Sequence, residues 1–320
     1  MIDNLKVCRY SAVDREAWDA FVAASKNGTF LFHRAFMEYH ADRFQDHSLM
    51  VWNADQLVAV LPANLDGSRC VTHGGLTYGG LITGARMSAE LALKIFDMIV
   101  EYGRGQGWSE IYYKPVPHIY HRQPAEEDLY ALFRHDARLV RSDVSATISL
   151  QDRLSFSKGK KDGLRKARKA GLVCRESQDW AACWTLLTQV LSDRHAVKPV
   201  HALEEITQLA ADFPNQIRLF GAYHLNRMIA AMVVFDCGPT VHVQYIASSD
   251  AGRQNGGVDL IVKHLLDEVF MDRRWFDFGI STTEQGRSLN TGLAQQKEMF
   301  GARTTVYQQF SLPLQDVRSI

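Results

Sequence analysis

Three side chains in the second half of the chain have the chemistry of proton and group transfer. The segment "VHVQYIA" reads as a β-strand, and strict alternation puts His242, Gln244 and Ile246 on one face and Val241, Val243 and Tyr245 on the other. His242 suits proton transfer near neutral pH, with Gln244 beside it in the same cleft; a purely structural strand histidine is the other reading. Asp277 stands in "FDFGISTTEQG", on a short strand of aromatic residues where a carboxylate needs a partner. It could orient a histidine or a substrate hydroxyl, while Ser281, Glu284 and Asn290 either add hydrogen bonds to a substrate or stabilise the turn. Lys297 ends the polar helix "LNTGLAQQKEMFGAR". It is either a catalytic or ligand-clamping lysine or an exposed one favoured by the negative end of its helix.

Three further groups surround these. Arg194, His195, Lys198 and His201 crowd "DRHAVKPVH", read as a loop between helices that recognises substrate. The spacing of His195 and His201 is not that of a helical metal pair, and no metal is expected. The stretch "SFSKGKKDGLRKARKAG" gathers Lys158, Lys160, Lys161, Arg165, Lys166, Arg168 and Lys169 around Asp162. It is either a solvated linker helix or an anion site in which Arg165 and Arg168 meet a polyanionic substrate. In "AGRQNGGVDL", Arg253, Gln254, Asn255, Gly256 and Gly257 lie between a strand and a helix, where backbone N–H groups and a helix N-terminus could seat a pyrophosphate. The stretch is neither a Walker loop nor the G-x-G-x-x-G fingerprint, and a turn that simply begins a packed helix is the alternative.

The elements that must position these residues follow from periodicity. In the second half, "SQDWAACWTLLTQVL" and "ALEEITQLAADF" read as helices, with Ser177 as cap of the first. "IRLFGAY", "IAAMVVF" and "VHVQYIA" then form an antiparallel meander, followed by the glycine turn, a helix from Val258 to Phe270, the strand "WFDFG", the helix carrying Lys297 and the strand "TTVYQQF". The first half repeats this order less regularly: helices around Trp18 and Phe36, strands "SLMVW" and "LVAVLPA", the loop "HGGLTYGGLITG", the helix "AELALKIFDMIVEYG", the strand "EIYYKPV", a helix at "EEDLYALF" and the strand "ATISL". An internal duplication is implied, of far longer period than a solenoid repeat.

Composition narrows the field. A chain of 320 residues is expected to form two domains or one duplicated domain. With 36 basic and 36 acidic residues the formal charge is zero, which argues against a surface given over to nucleic acid or anionic membrane, apart from a local basic patch. The 5 cysteines are scattered without a C-x-x-C pair, so neither a disulfide framework nor a zinc site is expected, and a reducing cytoplasm fits. The N-terminus lacks a secretory pattern and no apolar run matches a bilayer span, so the expected location is cytoplasmic, with peripheral attachment to the inner membrane face as an option.

The run Arg253 to Val258, R-Q-N-G-G-V, resembles the acyl-CoA loop [RQ]-x-x-G-x-[GA] of the GNAT acyltransferases, with Val258 at the last small position. The order of elements in each half is also that of a GNAT fold. Two such lobes resemble the FemAB-type transferases, through "GLRKARKAGLVCRES", "QYIASS" and "FDFGIS" with "LNTGLAQQKEMFGAR", and most of all the GNAT-type proteins associated with bacterial surface-polysaccharide clusters. The resemblance implies an α/β fold with mixed, α+β-like sheets and two tandem GNAT-like lobes: a degenerate lobe at 1–150, a basic junction at 151–170 and a donor-binding lobe at 171–320. It aligns Lys297 of "QQKEMFG" with a lysine near the transferred acyl carbonyl, although Gln295 and Gln296 replace the usual aromatic flank. Lys297 would then stabilise an oxyanion, with His242 as base and Asp277 as its partner. The implied donor is acetyl-CoA or another acyl-CoA, and the implied acceptor an amino or hydroxyl group of a nucleotide-linked sugar or other cell-envelope precursor. One alternative is aminoacyl-tRNA as donor, gripped by the basic stretch, with a peptidoglycan precursor as acceptor. Another is a non-catalytic binding protein with a decayed site.

Overall fold

The computed structural model describes residues 4–195 and 199–314, the side chains of 191–195 excepted. The chain forms two compact units: unit 1 holds the chain up to Asp143, Gln285–Arg287 and the chain from Val306 onward, and unit 2 holds Val144–Glu284 and Ser288–Thr305. The elements in chain order are β1 (Leu5–Arg9), α1 (Arg15–Ala24), α2 (Arg34–Glu38), β2 (Gln45–Asp46), β3 (Leu49–Asn53), β4 (Gln56–Leu61), β5 (Asn64–Asp66), β6 (Arg69–Val71), β7 (Ile82–Thr83), α3 (Ala89–Gly105), β8 (Glu110–Tyr113), α4 (Glu127–Arg134) and β9 (Arg138–Ser149). They continue with α5 (Lys158–Lys169), β10 (Val173–Ser177), α6 (Trp180–His195), α7 (Leu203–Asp212), β11 (Ile217–His224), β12 (Arg227–Asp236), β13 (Thr240–Ser248), α8 (Asp250–Gln254), α9 (Gly257–His264), β14 (Trp275–Ile280), β15 (Thr282–Thr283), β16 (Ser288–Leu289), α10 (Thr291–Glu298) and β17 (Arg303–Pro313).

In unit 1 the strands β1, β3, β4 and β7 make one antiparallel sheet. A second set runs in the order β17, β8, β6, β5, β2, with β6 and β8 parallel. Helix α3 starts where the Ser88 side chain accepts the Leu91 N–H, and it buries Ala92, Ile95, Phe96, Ile99 and Val100, the spacing of one helical face. That face joins Leu49, Val51, Leu61, Ile111 and Tyr113 in the core of the unit. Because β17 pairs with β8 (Leu312↔Ile111, Phe310↔Tyr113), the last strand from Val306 belongs to unit 1. A division of the chain at 150 and 171 does not describe this.

Unit 2 orders its strands β10, β11, β12, β13, β14 and the second part of β9. Strand β12 is buried from Ile229 to Phe235 on both faces, so its apolar run is continuous rather than alternating. Ile261, Val262, Leu265 and Leu266 of α9 and the turn after it cover one face with Val234, Val241, Phe276 and Phe300. Trp180, Cys183, Trp184 and Leu187 supply the buried side of α6, as their spacing predicts. The cap of α6 is Asp179, whose Oδ1 accepts the Ala182 N–H at 2.9 Å, not Ser177, which ends β10. The basic stretch is likewise no linker. It is helix α5 of unit 2, which packs its small residues Gly163 and Ala167 inward, turns Lys160 onto Asp259 and exposes Arg165, Lys166, Arg168 and Lys169. Among the described residues, no helix is long and apolar enough to cross a membrane.

Candidate active site at a strand fork

Strands β13 and β14 are parallel neighbours only at their beginnings: Thr240↔Trp275, Val241↔Phe276 and His242↔Asp277 pair, and the ladder ends there. Two irregularities drive them apart. On β13 the register against β12 slips, Val234 facing Val243 and Val233 facing Tyr245, so Gln244 is an extra residue, a β-bulge. On β14 the register against β9 slips between Asp277↔Thr147 and Ile280↔Ser145, around Gly279, which holds φ +74°. A side chain at Gly279 would approach the His242 ring, with Cβ 3.3 Å from Cε1.

At the branch point His242 Nδ1 lies 3.0 Å from Asp277 Oδ2. The carboxylate is fully buried, and Oδ1 accepts hydrogen bonds from Ser145 Oγ (2.6 Å), Thr147 Oγ1 (3.2 Å) and the Gly279 N–H (3.2 Å). A buried charge survives only when its oxygens are occupied in this way. With Nδ1–H donating to Asp277, Nε2 becomes the basic nitrogen of His242. Sequence reasoning foresaw the histidine and the carboxylate but not Ser145 and Thr147. Their signal was small polar residues at alternate positions in "SATIS", the spacing of one strand face.

Lys297, in the last turn of α10, is 7 % exposed, so it is not an exposed helix-end lysine. Its Nζ donates to Gly279 O (2.8 Å), Ile280 O (2.8 Å) and Ser281 Oγ (2.9 Å). An ammonium has three N–H groups, and all are engaged. Lys297 thus satisfies carbonyls beside the bulge at the end of β14. Burial lowers its pKa to about 8, while Asp277 pulls the other way. The expected oxyanion role has no free N–H to carry it; Lys297 fixes the outer arm of the fork instead.

The bulge also changes the strand face. Tyr245 stands opposite Val233 and His242 opposite Phe235, so these two share a face, and the pairing of His242 with Gln244 expected from strict alternation is corrected. Tyr245 meets His201, whose Nδ1 is 2.5 Å from its hydroxyl.

The other expected residues separate. Asn290 Oδ1 accepts the Leu293 N–H at 3.0 Å and caps α10, the turn-stabilising alternative. Glu284 sits exposed in a turn at φ 50°. Arg165 and Arg168 are exposed on α5, Arg165 paired with Asp162. The side chain of His195 and residue Lys198 lie outside the described residues.

The turn expected to seat a pyrophosphate is closely packed. Residues 250–254 form the short helix α8, where Arg253 bonds the Ser248 carbonyl at 2.5 Å and pairs with Asp250, while Asn255 Nδ2 bonds the Ala251 carbonyl at 2.9 Å. Gln254 is exposed at the end of α8. Gly256, in the left-handed region, lies under α5: a Cβ there would be 2.2 Å from the Gly163 carbonyl oxygen, and one at Gly257 would be 2.9 Å from Ala230 Cβ. In the first turn of α9, Asp259 is paired with Lys160 at 2.9 Å. Both first turns therefore already carry carboxylates, each with its own cation, and the glycines serve packing.

Residues 155–285, most of unit 2, match the family model described as "Acetyltransferase (GNAT) domain". Among solved structures, FemX aligns with a TM-score of 0.68 at 12% identity, covering 96% of this chain and 97% of its own. The L-PGS of Bacillus licheniformis gives 0.62 at 12% identity over 95% and 93%. The C-terminal domain of a putative lysylphosphatidylglycerol synthetase from Agrobacterium fabrum gives 0.61 at 10% over 94% and 92%. The fold is GNAT-type and FemX-like. None of the curated proteins matches the chain in sequence.

Proposed function

We propose that the chain is an acyltransferase and that unit 2 carries the reaction at the β13–β14 fork. The observation that carries this is the placement of a histidine on a fully buried carboxylate at the point where two parallel strands part, 3.0 Å apart. An extended acyl donor lies between the parted strands, His242 Nε2 takes the proton of the attacking amine or hydroxyl, and Asp277 holds the imidazole and stabilises its cation. Lys297 keeps the Gly279–Ser281 arm in place, so it is a positioning residue.

For the donor, the filled α8–α9 turn favours a carrier other than CoA. Gly256 packs against α5 and Gly257 against β12, and the first turns of the two helices already hold Asp250 and Asp259 in ion pairs with Arg253 and Lys160. The FemX-like fold and the likeness to lysylphosphatidylglycerol synthetases support an aminoacyl group carried on tRNA, passed to an envelope precursor. The exposed cations of α5 are of the right sign for the RNA backbone. A second reading, acetyl transfer from acetyl-CoA to a nucleotide-linked sugar, is favoured by the acetyltransferase description of the matching family model.

The two are separated by supplying labelled aminoacyl-tRNA or labelled acetyl-CoA with pooled nucleotide-sugar and peptidoglycan precursors. Transfer from the tRNA that weakens steeply with salt supports the first donor. Transfer from acetyl-CoA that is lost in Arg253→Glu supports the second. Wild-type protein that transfers neither label to any acceptor is not an acyltransferase of this kind.

A further inference from the structure

Unit 1 holds a cavity that the acyl-transfer reading does not use, at the point where β4 and β7 part. Their ladder is Val60↔Ile82 and Ala59↔Thr83, and β7 ends at Thr83. On the other side of β4, Val51 faces Ala59 and Trp52 faces Leu57, so Val58 is an extra residue, a β-bulge that bends this end of the strand. Past the last pair the two chains are joined by a long bond, from the Gly84 N–H to the Val58 carbonyl at 3.4 Å. The space so opened measures about 380 Å³, within the range of about 300–1,000 Å³ usual for small-molecule sites.

We propose that this cavity binds an amphiphilic monocarboxylate, its apolar body on Phe21, Leu57, Val58, Met87 and Leu91 and its carboxylate at the Gly84–Met87 turn.

The apolar half of the ligand follows from the walls. Phe21 of α1, Leu57 and Val58 of β4 and Leu91 of α3 are each left partly exposed, so a hydrocarbon or aryl body laid on them removes apolar surface from water. Gly84 keeps the space clear. A Cβ there would stand 3.6 Å from Phe21 Cε2, an ordinary contact, and a longer side chain would extend along the wall that Phe21 forms.

The anionic half follows from the rim, which carries Arg86, Asn53 and Gln56 and no acidic residue. Among the described residues Arg86 has no ion-pair partner. The Met87 N–H closes a β-turn on the Gly84 carbonyl at 3.0 Å, and the N–H groups of its central residues, Ala85 and Arg86, bond no backbone carbonyl among the described residues. Helix α3 starts directly after this turn, at its Ser88 cap, and Glu90 in its first turn is paired with Lys94 at 3.0 Å, so the positive end of the helix adds to the field of Arg86. One guanidinium with two backbone donors matches one carboxylate. An ammonium finds no counter-charge in this lining, and a polyphosphate brings more charge than the lining balances.

Isothermal titration of the full chain with decanoate, kept below its aggregation concentration, and with 4-phenylbutyrate distinguishes a chain-like from an aryl body. Saturable binding is expected, with a dissociation constant on the order of 100 μM for the better of the two. Decylamine, which has the same chain and the opposite charge, should bind at least about tenfold more weakly than decanoate. Arg86→Glu, on the exposed turn, should weaken carboxylate binding at least about tenfold. Gly84 lies outside the left-handed region, so Gly84→Leu is free of backbone strain; it should fill the cavity and abolish binding while the thermal midpoint holds. Wild-type protein that saturates with neither carboxylate below about 1 mM overturns the proposal. Decylamine that binds as tightly as decanoate overturns it too, as does an affinity unchanged in the folded Arg86→Glu protein.

Discussion

Each unit contains a parallel strand pair with a buried lysine just beyond it, and the two pairs end differently. In unit 1, β6 and β8 pair through Val71↔Tyr112, and the chain then fills its own gap. Thr72 N–H bonds the Tyr112 carbonyl, Gly79 N–H bonds the Lys114 carbonyl at 2.7 Å, and a Cβ at Gly79 would lie 1.8 Å from the Thr72 oxygen. Lys114 Nζ donates to Leu76 O, within the same loop. In unit 2, β13 and β14 end on His242↔Asp277, and the surroundings of that point are polar side chains: His242, Asp277, Ser145, Thr147, Ser281 and Lys297. A glycine-rich loop closes one fork with backbone; a bulge on each strand opens the other. The residues just past the last pair thus decide whether the same topology serves as scaffold or as site.

The strongest way to break this contrast is to remove the base. His242→Ala should lower turnover by about 10²–10⁴-fold with donor binding retained. Asp277→Asn should give a comparable loss, since an amide that donates to Nδ1 would leave the wrong tautomer. Single-turnover rates on the folded variants decide this. An unchanged chemical step in either would make unit 2 as inert as unit 1.

The lysines come next. Lys297→Met leaves two carbonyls and a hydroxyl at the fork without their ammonium, and unit 2 should lose about 2–4 kcal/mol by urea denaturation. A loss below about 0.5 kcal/mol would mean that the arm holds itself, and Lys297 would return to the reacting atoms.

How much of this was legible beforehand depends on the range of each interaction. The amphipathic faces of α3, α6 and α9 and the meander β11–β13 could be read off periodicity, because local spacing alone decides which side of an element is buried. His242 and Asp277 were legible as residue types, and their meeting came from the need of a buried carboxylate for a partner. The bulge at Gln244 was not, since one extra residue in a strand leaves its composition unchanged while moving Tyr245 to the other face. Nor was the closure of the α8–α9 turn. "RQNGG" permits a phosphate seat or a close helix contact equally, and the choice lies with Gly163, about ninety residues away in sequence.

Lys114 sharpens the contrast through pH. Burial without a carboxylate partner lowers its pKa to about 7, with Arg141 adding to the effect. A lysine depressed in the fold is neutral there while the unfolded chain still binds its proton, between about 7 and the ordinary lysine value. Wild-type unit 1 should therefore gain stability as pH rises through that window, by at most about 1.4 kcal/mol per unit. Lys114→Met should lack this rise. Urea midpoints of both proteins at successive pH values measure the difference, and parallel curves would place a counter-charge at Lys114.

The smallest effect separates cap from ligand contact within unit 2. Asn290 is exposed, and its side chain receives the Leu293 N–H at the start of α10, the helix that carries Lys297 seven residues on. A capping residue is replaceable by any side chain that accepts the same bond, whereas a substrate contact depends on reach and on the amide's own donors. Asn290→Ala should cost about 1 kcal/mol in thermal or urea unfolding, Asn290→Ser only a few tenths, and neither should change the acceptor KM. If Asn290→Ser raises KM while stability holds, α10 begins at the substrate, and the fork extends past Ser281 to the end of that helix.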